Sequence, residues 1–224
     1  MRALILAAGR GERMRPLTSN MPKPLLRVGG KPLIDWHIEA LARAGITELV
    51  VNLSWQAAKL RDHLGDGSRQ GVSLQFSEEG PEPLETGGGI HHALGLLGPE
   101  PFWVVNGDIS CDFSFAPREL PPGTLAHLVL VPNPAHHPDG DFVLRDGRIV
   151  GADTADAARL TFAGISILQP ALFSAARPGR FPLAPLLRAA AEKNQVSGEL
   201  YRGRWTDVGT PERLRQLDAA LTGR

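Results

Sequence analysis

Two basic segments near the start of the chain carry side chains suited to phosphate chemistry. Residues 9–18 read Gly-Arg-Gly-Glu-Arg-Met-Arg-Pro-Leu-Thr, so three arginines stand among glycines that let backbone N–H groups approach a ligand closely. Lys23 follows between two prolines, which fix the backbone around its ammonium group. Together these residues predict a phosphate-binding loop with Lys23 as a further positive group near the same site.

Two other interpretations of the arginine loop remain open. A dinucleotide-binding turn would need a third glycine where Met14 stands, and Pro16 prevents a helix from starting cleanly at the turn. A flexible surface loop with solvated arginines is the second alternative, and an isolated Pro-Lys-Pro is by itself typical of a surface turn. The phosphate-binding interpretation is favoured because Lys23 and the loop place several cations near one site.

Asp108 and Asp207 are candidates for the acidic component of this site. Asp108 follows a predicted core strand, at the end of the strand where open α/β sheets bind ligands, and Asp207 stands before the last predicted helix. Two hard carboxylate ligands suit Mg²⁺. Each aspartate alone is more typical of a turn or a helix cap, so the metal interpretation requires that the two meet in space.

A run of three glycines, Gly87 to Gly89, precedes an apolar helical run that continues through Leu97. Glycine is a poor helix former, so the run indicates that something needs the space. Backbone N–H groups at the start of this helix could contact a base or a phosphate. A simple flexible entry turn is the alternative.

The remaining reactive side chains indicate packing rather than catalysis. The pairs His91-His92 and His136-His137 consist of adjacent residues, which point in different directions on a helix or strand, so surface or packing roles are favoured. Cys111 is the single cysteine and is interpreted as a small apolar filler. No Ser/His/Asp arrangement stands out in the sequence.

Composition excludes several classes of protein. The 224 residues are 42% hydrophobic and 21% charged, which suits one globular α/β domain. The 24 basic and 24 acidic residues cancel, so no overall field attracts nucleic acid or an anionic membrane. A lone cysteine fits a reducing compartment, and the apolar start at residues 3–8 is too short to span a bilayer and lacks a signal peptide's cleavage pattern. We therefore expect a cytoplasmic protein.

Alternating strands and helices must position the candidate residues, because apolar runs and helical spacings alternate along the chain. In the first half we predict strands at 3–8, 48–53, 72–76 and 102–105, and helices at 32–44 and from a cap at Ser54 to about Leu64. In the second half we predict strands at 125–131, 160–168 and 199–206, a hairpin at 142–150 about Asp146-Gly147, and helices at 182–193 and 211–221. The pattern predicts a doubly wound first half and a more mixed second half of one domain.

Three motifs in order resemble the sugar-1-phosphate nucleotidylyltransferases. They are residues 6–18 with Pro22-Lys23-Pro24, then Asn106-Gly107-Asp108, then residues 205–211, and they span nearly the whole chain. The resemblance implies a single α/β domain with a Rossmann-like, doubly wound, mixed but mainly parallel sheet of the GT-A-like kind. Residues 1–120 would form the nucleotide-binding half and residues 121–224 the sugar-phosphate-binding half.

The resemblance also implies a role for individual residues. Arg13, Lys23 and Asp108 would be catalytic, and Asp108 and Asp207 would hold Mg²⁺ as the cofactor. The nucleotide-binding set would be Ala7, Ala8, Gly9, Gly11, Arg13, Lys23, Glu79, Glu85, Gly87, Gly88 and Asn106. The sugar-phosphate-binding set would include Asn106, Gly140, Asp141, Gly164 and Glu199.

Within the family, residues 84–89, His136-His137 and residues 197–199 resemble uridylyltransferases of peptidoglycan recycling that join UTP to N-acetylmuramate α-1-phosphate. The expected partners are these small molecules, without nucleic acid or membrane, and the expected assembly is a monomer or a small homo-oligomer. The lactyl carboxylate of this sugar favours an arginine partner, and we hypothesise Arg202, which shares one face of the predicted strand with Arg204. Solvent-facing arginines are an equal alternative. Transfer to another sugar 1-phosphate, with a guanylyl or thymidylyl group, and a non-catalytic nucleotide-binding regulatory protein also remain open.

Overall fold

The computed structural model describes residues 1–150 and 158–223. The first half of the chain contains strands β1 Ala3–Leu6, β2 Arg27–Val28, β3 Lys31–Pro32, β4 Glu48–Leu53, β5 Ser73–Glu78, β6 Phe102–Asn106 and β7 Ile109–Cys111, and helices α1 Leu33–Arg43, α2 Ala57–Leu64 and α3 Glu85–Leu97. The second half contains strands β8 Ala126–Val131, β9 Val143–Arg145, β10 Arg148–Val150, β11 Thr161–Leu168, β12 Val196–Leu200 and β13 Trp205–Asp207, and helices α4 Ala184–Glu192 and α5 Pro211–Thr222.

Nine of these strands form one sheet in the order β5-β4-β1-β6-β11-β8-β12-β10-β9. The pairings make seven of the nine run in one direction, and only β11 and β10 run in the opposite direction. The predicted single α/β domain with a mixed, mainly parallel sheet is therefore confirmed. Among the described residues, two further pairs lie outside this sheet, β2 with β3 and β7 with β13.

Helices cover both faces of the large sheet, which is what "doubly wound" predicts. Successive residues of a strand point to opposite faces. In β1, Ile5 therefore belongs to the core cluster that includes residues of α1 and α2, whereas Leu4 belongs to the cluster that includes residues of α3 and α4. Both residues are fully buried. The strand ends, rather than the faces, are consequently left to form a site.

The predicted hairpin about Asp146-Gly147 is confirmed. Strands β9 and β10 pair in antiparallel fashion across this two-residue turn. Both turn residues have positive φ, 49° at Asp146 and 74° at Gly147, as a hairpin turn of this length requires.

No helix within the described ranges is long and apolar enough to cross a membrane.

Three local predictions were wrong. Ser54 does not cap α2, because its hydroxyl donates instead to the carbonyl of Gly80 at 2.9 Å and the helix begins after Gln56. The strand predicted at 199–206 is two strands, β12 and β13, which lie in different sheets. Residues 201–204 connect them, and the Arg204 N–H donates to the Asp112 carboxylate at 2.8 Å, so Arg202 and Arg204 do not share a strand face.

The glycine run was the third. Gly87 to Gly89 lie inside the first turns of α3 rather than before the helix. The helix can begin before these glycines because residues 179–182 pack closely against them, next to the candidate site.

Candidate active site

A cleft of about 660 Å³ opens at the carboxyl ends of β1, β4, β5 and β6. Parallel α/β sheets bind ligands at this edge. The lining comprises residues 6–14, Lys23, Pro24, Asn52, Glu79, Glu82, Pro83, Glu85, Thr86, residues 106–108, Arg180 and Gly209. Ten of the predicted site residues are in this set: Ala7, Ala8, Gly9, Gly11, Arg13, Lys23, Glu79, Glu85, Asn106 and Asp108.

The loop after β1 forms one wall of the cleft. Gly11 has φ of 62°, and a Cβ there would lie 3.0 Å from the Thr18 side chain and 3.2 Å from Cβ of Lys23, so glycine lets the loop fold closely over the lysine segment. The Thr18 hydroxyl donates to the Gly11 carbonyl at 2.7 Å. Arg10 crosses to the opposite wall, where its guanidinium donates to the Pro81 carbonyl at 3.2 Å.

Lys23 and Asp108 form an ion pair inside the cleft. Lys23 lies in a short helical turn that begins after Pro22, and its side chain is only 9% exposed. Its Nζ donates to Asp108 Oδ2 at 2.7 Å. The turn that carries Lys23 therefore brings its ammonium group to Asp108, which follows β6 and lies 85 residues further along the chain.

The two-stranded sheet of β7 and β13 places Asp207 near Asp108. Strand β13 pairs with β7 so that Asp207 stands opposite Ile109, and the Val208 N–H donates to the Asp108 carbonyl at 2.7 Å. Asp108, in the turn before β7, therefore lies next to the strand β13 that carries Asp207, although Asp207 is not among the residues that line the cleft. Mg²⁺ commonly takes one or two carboxylates together with substrate phosphates, and this donor pair fits such a mode. No cluster of three or more His, Cys, Asp or Glu side chains with metal-site geometry occurs in the described part of the chain.

Arg213 and His136 hold the Asp207 carboxylate. Arg213 donates to Asp207 Oδ1 at 2.5 Å, and His136 Nε2 lies 2.9 Å from the same oxygen. Thr210 caps α5 and also accepts from Arg213 Nε, which fixes the arginine on the first turn of the helix. Sequence reasoning missed both partners, although the His136-His137 pair was a visible signal.

A buried histidine supports the turn that carries Asp108. His37 of α1 is 3% exposed, and burial lowers its pKa to about 4 despite a hydrogen bond with the backbone of Ile109. The imidazole is therefore neutral near pH 7. The neutral His37 side chain therefore supports the turn that carries Asp108 without adding another positive charge near the cleft.

The glycines of α3 make room for the protein itself. A Cβ at Gly87 would lie 2.6 Å from the Phe181 ring, and one at Gly88 would overlap the Gly179 carbonyl. The Gly88 N–H donates to the Phe181 carbonyl at 3.0 Å. Residues 179–182 are therefore what needs the space, and Gly87 and Gly88, which were predicted to bind the nucleotide, are not among the residues that line the cleft.

The predicted sugar-side residues lie outside the lining of the cleft, apart from Asn106. Gly164 lies behind Asn106, which lines the cleft. The φ of Gly164 is 74°, and a Cβ there would lie 2.7 Å from Asn106 Nδ2. Gly140 also has a positive φ, 61°, and lies against Asn133 and Arg159. Asp141 is 3.0 Å from His137 Nε2 and accepts from the Phe162 N–H at 2.8 Å.

Glu199 belongs to a polar cluster on β12 and β8. A hydrogen bond from His127 at 3.2 Å, together with the charge of Arg118 at 3.0 Å, lowers the pKa of Glu199 and keeps it ionised. Ser197 lies 2.9 Å from the other ring nitrogen of His127. Arg202 is exposed on the connection between β12 and β13.

Comparisons with known proteins agree with this geometry. Residues 2–119 match the family model described as nucleotidyl transferase. The chain is 49% identical to an N-acetylmuramate alpha-1-phosphate uridylyltransferase of Neisseria meningitidis, with 98% of this chain and 97% of the relative covered. A protein of the same name from Caulobacter vibrioides is 34% identical, with 98% and 96% covered. The structure of the inositol-1-phosphate CTP transferase from T. maritima has a TM-score of 0.81 at 20% identity, covering 99% of this chain and 94% of that one, and so shares the fold.

Proposed function

The chain belongs to the nucleotidyl transferase family, and we propose that it transfers the uridylyl group of UTP to N-acetylmuramate α-1-phosphate, forming UDP-N-acetylmuramate and pyrophosphate. The substrates rest on the two relatives of that name, which are similar over almost their whole length. The transfer chemistry rests on one observation, the Lys23–Asp108 ion pair in a cleft beside Asp207. A cytoplasmic role in peptidoglycan recycling would follow from these substrates.

The reaction needs positioning and charge neutralisation rather than a general base. An oxygen of the sugar phosphate is already ionised near pH 7, so it can attack the α-phosphorus of UTP directly. The new bond joins that oxygen to the α-phosphorus, and the bond from the α-phosphorus to the bridging oxygen breaks, so that pyrophosphate leaves. Such a displacement gathers negative charge at one centre, where fixed cations are most effective.

We assign the tasks of charge neutralisation to the cleft residues. Lys23 would contact the phosphates at the reacting centre, and Arg13 with the backbone of Gly9 and Gly11 would bind the triphosphate. Asp108 and Asp207 would hold Mg²⁺, and the ion would supply positive charge that neutralises the phosphates. Lys23 is buried and already directed at Asp108, which supports a role at the same centre.

The base and the sugar would lie on opposite sides of this centre. Glu79 and Glu85 line the wall that we assign to the uracil, with Gly87 and Gly88 behind it. Asn106, backed by Gly164, faces both the nucleotide and the sugar phosphate in this proposal. Gly140, Asp141 and Glu199, which lie outside the lining of the cleft, would contact the sugar in this proposal.

Arg202 is our candidate partner for the lactyl carboxylate of the sugar. It lies on the exposed connection after β12, whereas the guanidinium of Arg204 contacts Asp112 at 3.0 Å. Replacing Arg202 with alanine should impair turnover of N-acetylmuramate 1-phosphate and spare any turnover of N-acetylglucosamine 1-phosphate, which lacks the lactyl group. An equal loss on both sugars would contradict this assignment.

The proposal is tested by measuring pyrophosphate release for UTP, dTTP, GTP, CTP and ATP against the 1-phosphates of N-acetylmuramate, N-acetylglucosamine, glucose and mannose. Each pair is measured with Mg²⁺ and with EDTA. We expect metal-dependent turnover that is highest for UTP with N-acetylmuramate 1-phosphate. A maximum at another pair, such as GTP with mannose 1-phosphate, would overturn the substrate assignment, and no turnover with any pair would favour a regulatory nucleotide-binding protein.

A matched pair of lysine variants tests the reacting centre. Lys23→Met should reduce kcat by about 10²–10³-fold, the range typical of removing one charge-stabilising donor. Lys193→Met should leave kcat unchanged, because Lys193 is an exposed residue at the end of α4, away from the cleft. A similar kcat for both variants would remove Lys23 from the mechanism.

A further inference from the structure

Asn52 joins the two walls of the cleft through a chain of hydrogen bonds, of which the first is buried and the others are partly buried. It lies at the carboxyl end of β4, between β1 and β5, and is 3% exposed. Its Oδ1 accepts from the Ala7 N–H at 2.5 Å, and its Nδ2 donates to Glu79 Oε1 at 2.5 Å. The chain continues where Glu79 Oε2 accepts from the Leu84 N–H at 2.7 Å.

The chemistry of the partners fixes the orientation of this amide. The Ala7 N–H can only donate, and an ionised Glu79 can only accept, so the oxygen of Asn52 must face Ala7 and its nitrogen must face Glu79. No other uncharged side chain of this size offers one acceptor and one donor in this arrangement. Asn52 was not singled out by the sequence, because its partners come from two other strands.

We propose that Asn52 and Glu79 are positioning residues that set the separation of the phosphate-loop wall from the base-side wall of the nucleotide cleft. The inference rests on the proposed function for the identity of the nucleotide. Ala7 begins the loop after β1, and Leu84 immediately precedes α3, so the hydrogen-bonded chain fixes the starting points of both walls. Both oxygens of Glu79 are used by the protein itself.

The packing of α3 against Glu79 gives independent support. A Cβ at Gly89 would overlap the Glu79 carboxylate and lie 3.0 Å from Asn52 Nδ2. Glycine at this position therefore lets the helix approach the Asn52–Glu79 pair directly. Hydrogen bonds to a carboxylate are stronger than those between neutral groups, so this pair can resist changes in the width of the cleft.

Two substitutions test this inference when used singly and together. Asn52→Asp keeps the acceptor for Ala7 but removes the donor and sets two carboxylates against each other. Glu79→Gln alone leaves two amide groups and two backbone donors that cannot all be satisfied. In the combined variant, the glutamine introduced at 79 donates to the aspartate introduced at 52 and accepts from Leu84, so every hydrogen bond and the net charge are restored.

The experiment is isothermal titration of each variant with UTP and Mg²⁺, together with KM and kcat and with thermal unfolding to establish that each variant is folded. We expect each single variant to bind UTP at least about tenfold more weakly, which corresponds to about 1.4 kcal/mol. We expect the combined variant to return to within about threefold of the wild type, with KM for UTP changing more than kcat. If Asn52→Asp does not fold, the comparison of Glu79→Gln with the combined variant gives the same test.

Two results would overturn the inference. UTP affinity that is unchanged in both single variants would show that the hydrogen-bonded chain does not set the cleft. A combined variant as weak as the single variants would show that the Glu79 carboxylate is needed by the nucleotide itself. Wild-type protein that binds a different triphosphate would contradict the proposed function instead, and the variants would then be compared with that triphosphate.

Discussion

Replacing Gly87 with alanine would place a methyl group in space that the chain itself already fills. The added Cβ would lie 2.6 Å from the Phe181 ring and 2.8 Å from the Pro182 carbonyl oxygen. Ordinary contacts of this kind lie near 3.5–4.0 Å, so residues 181–182 must move by roughly 1 Å. Overpacking of this kind costs about 1–3 kcal/mol.

Gly95→Ala is the matched control on the same helix. Nothing lies within 4 Å of a Cβ at Gly95, so the substitution should give only the gain of about 0.5–1 kcal/mol expected for alanine in a helix. The gain is common to both positions, and the difference between the two variants therefore isolates the steric cost of about 1–3 kcal/mol.

Denaturant unfolding of both variants measures this difference. We expect Gly87→Ala to be less stable than Gly95→Ala by that amount, and to melt several degrees lower, since about 2–4 °C corresponds to 1 kcal/mol in a protein of this size. We also expect a higher KM for UTP in Gly87→Ala, because the neighbouring Glu85 and Thr86 line the cleft. Equal stabilisation by the two substitutions would refute the packing of α3 on residues 181–182.

Three further predictions concern single side chains. Burial lowers the pKa of His37 to about 4, so between pH 7 and pH 5 the unfolded state binds a proton that the folded state does not bind. The free energy of unfolding should therefore fall by about 2 kcal/mol over this range. In denaturant unfolding, His37→Gln should flatten this pH dependence, and an unchanged slope would contradict the prediction. Burial raises the pKa of the Cys111 thiol to about 11, so iodoacetamide at pH 8 should modify native protein far more slowly than unfolded protein, and equal rates would contradict the burial. Asp207→Asn should weaken Mn²⁺ binding in the presence of UTP, measured by electron paramagnetic resonance, by at least about tenfold, whereas the exposed Asp139→Asn should not; equal affinities would exclude Asp207 as a ligand.

The sequence predicted correctly those strands and turns that are determined by residues next to one another in the chain. Strand β4 begins and ends at Glu48 and Leu53 as predicted, because its apolar run is bounded by turn residues. The Asp146-Gly147 turn was equally visible. The interruption after β12 was not, since it depends on Asp112, which binds Arg204 from about ninety residues away in sequence.

The same distinction holds in the candidate site. Lys23 and Asp108 were predicted from their segments, and the structure places them 2.7 Å apart. Arg213 and Asn52 were missed, because each is an ordinary residue of a helix or strand until the fold brings its partners to it. The need for space at the glycine run was predicted, but the residues that fill it were not, since Phe181 and its neighbours lie too far along the chain to be associated with the run.

Phosphorus NMR of UTP mixed with N-acetylmuramate α-1-phosphate, Mg²⁺ and the protein tests the proposed uridylyl transfer most directly. Attack at the α-phosphorus predicts equal amounts of pyrophosphate and of a new diphosphate-linked UDP-sugar, with no inorganic phosphate formed. Release of UDP or inorganic phosphate, or no conversion by folded protein supplied with Mg²⁺, would contradict it.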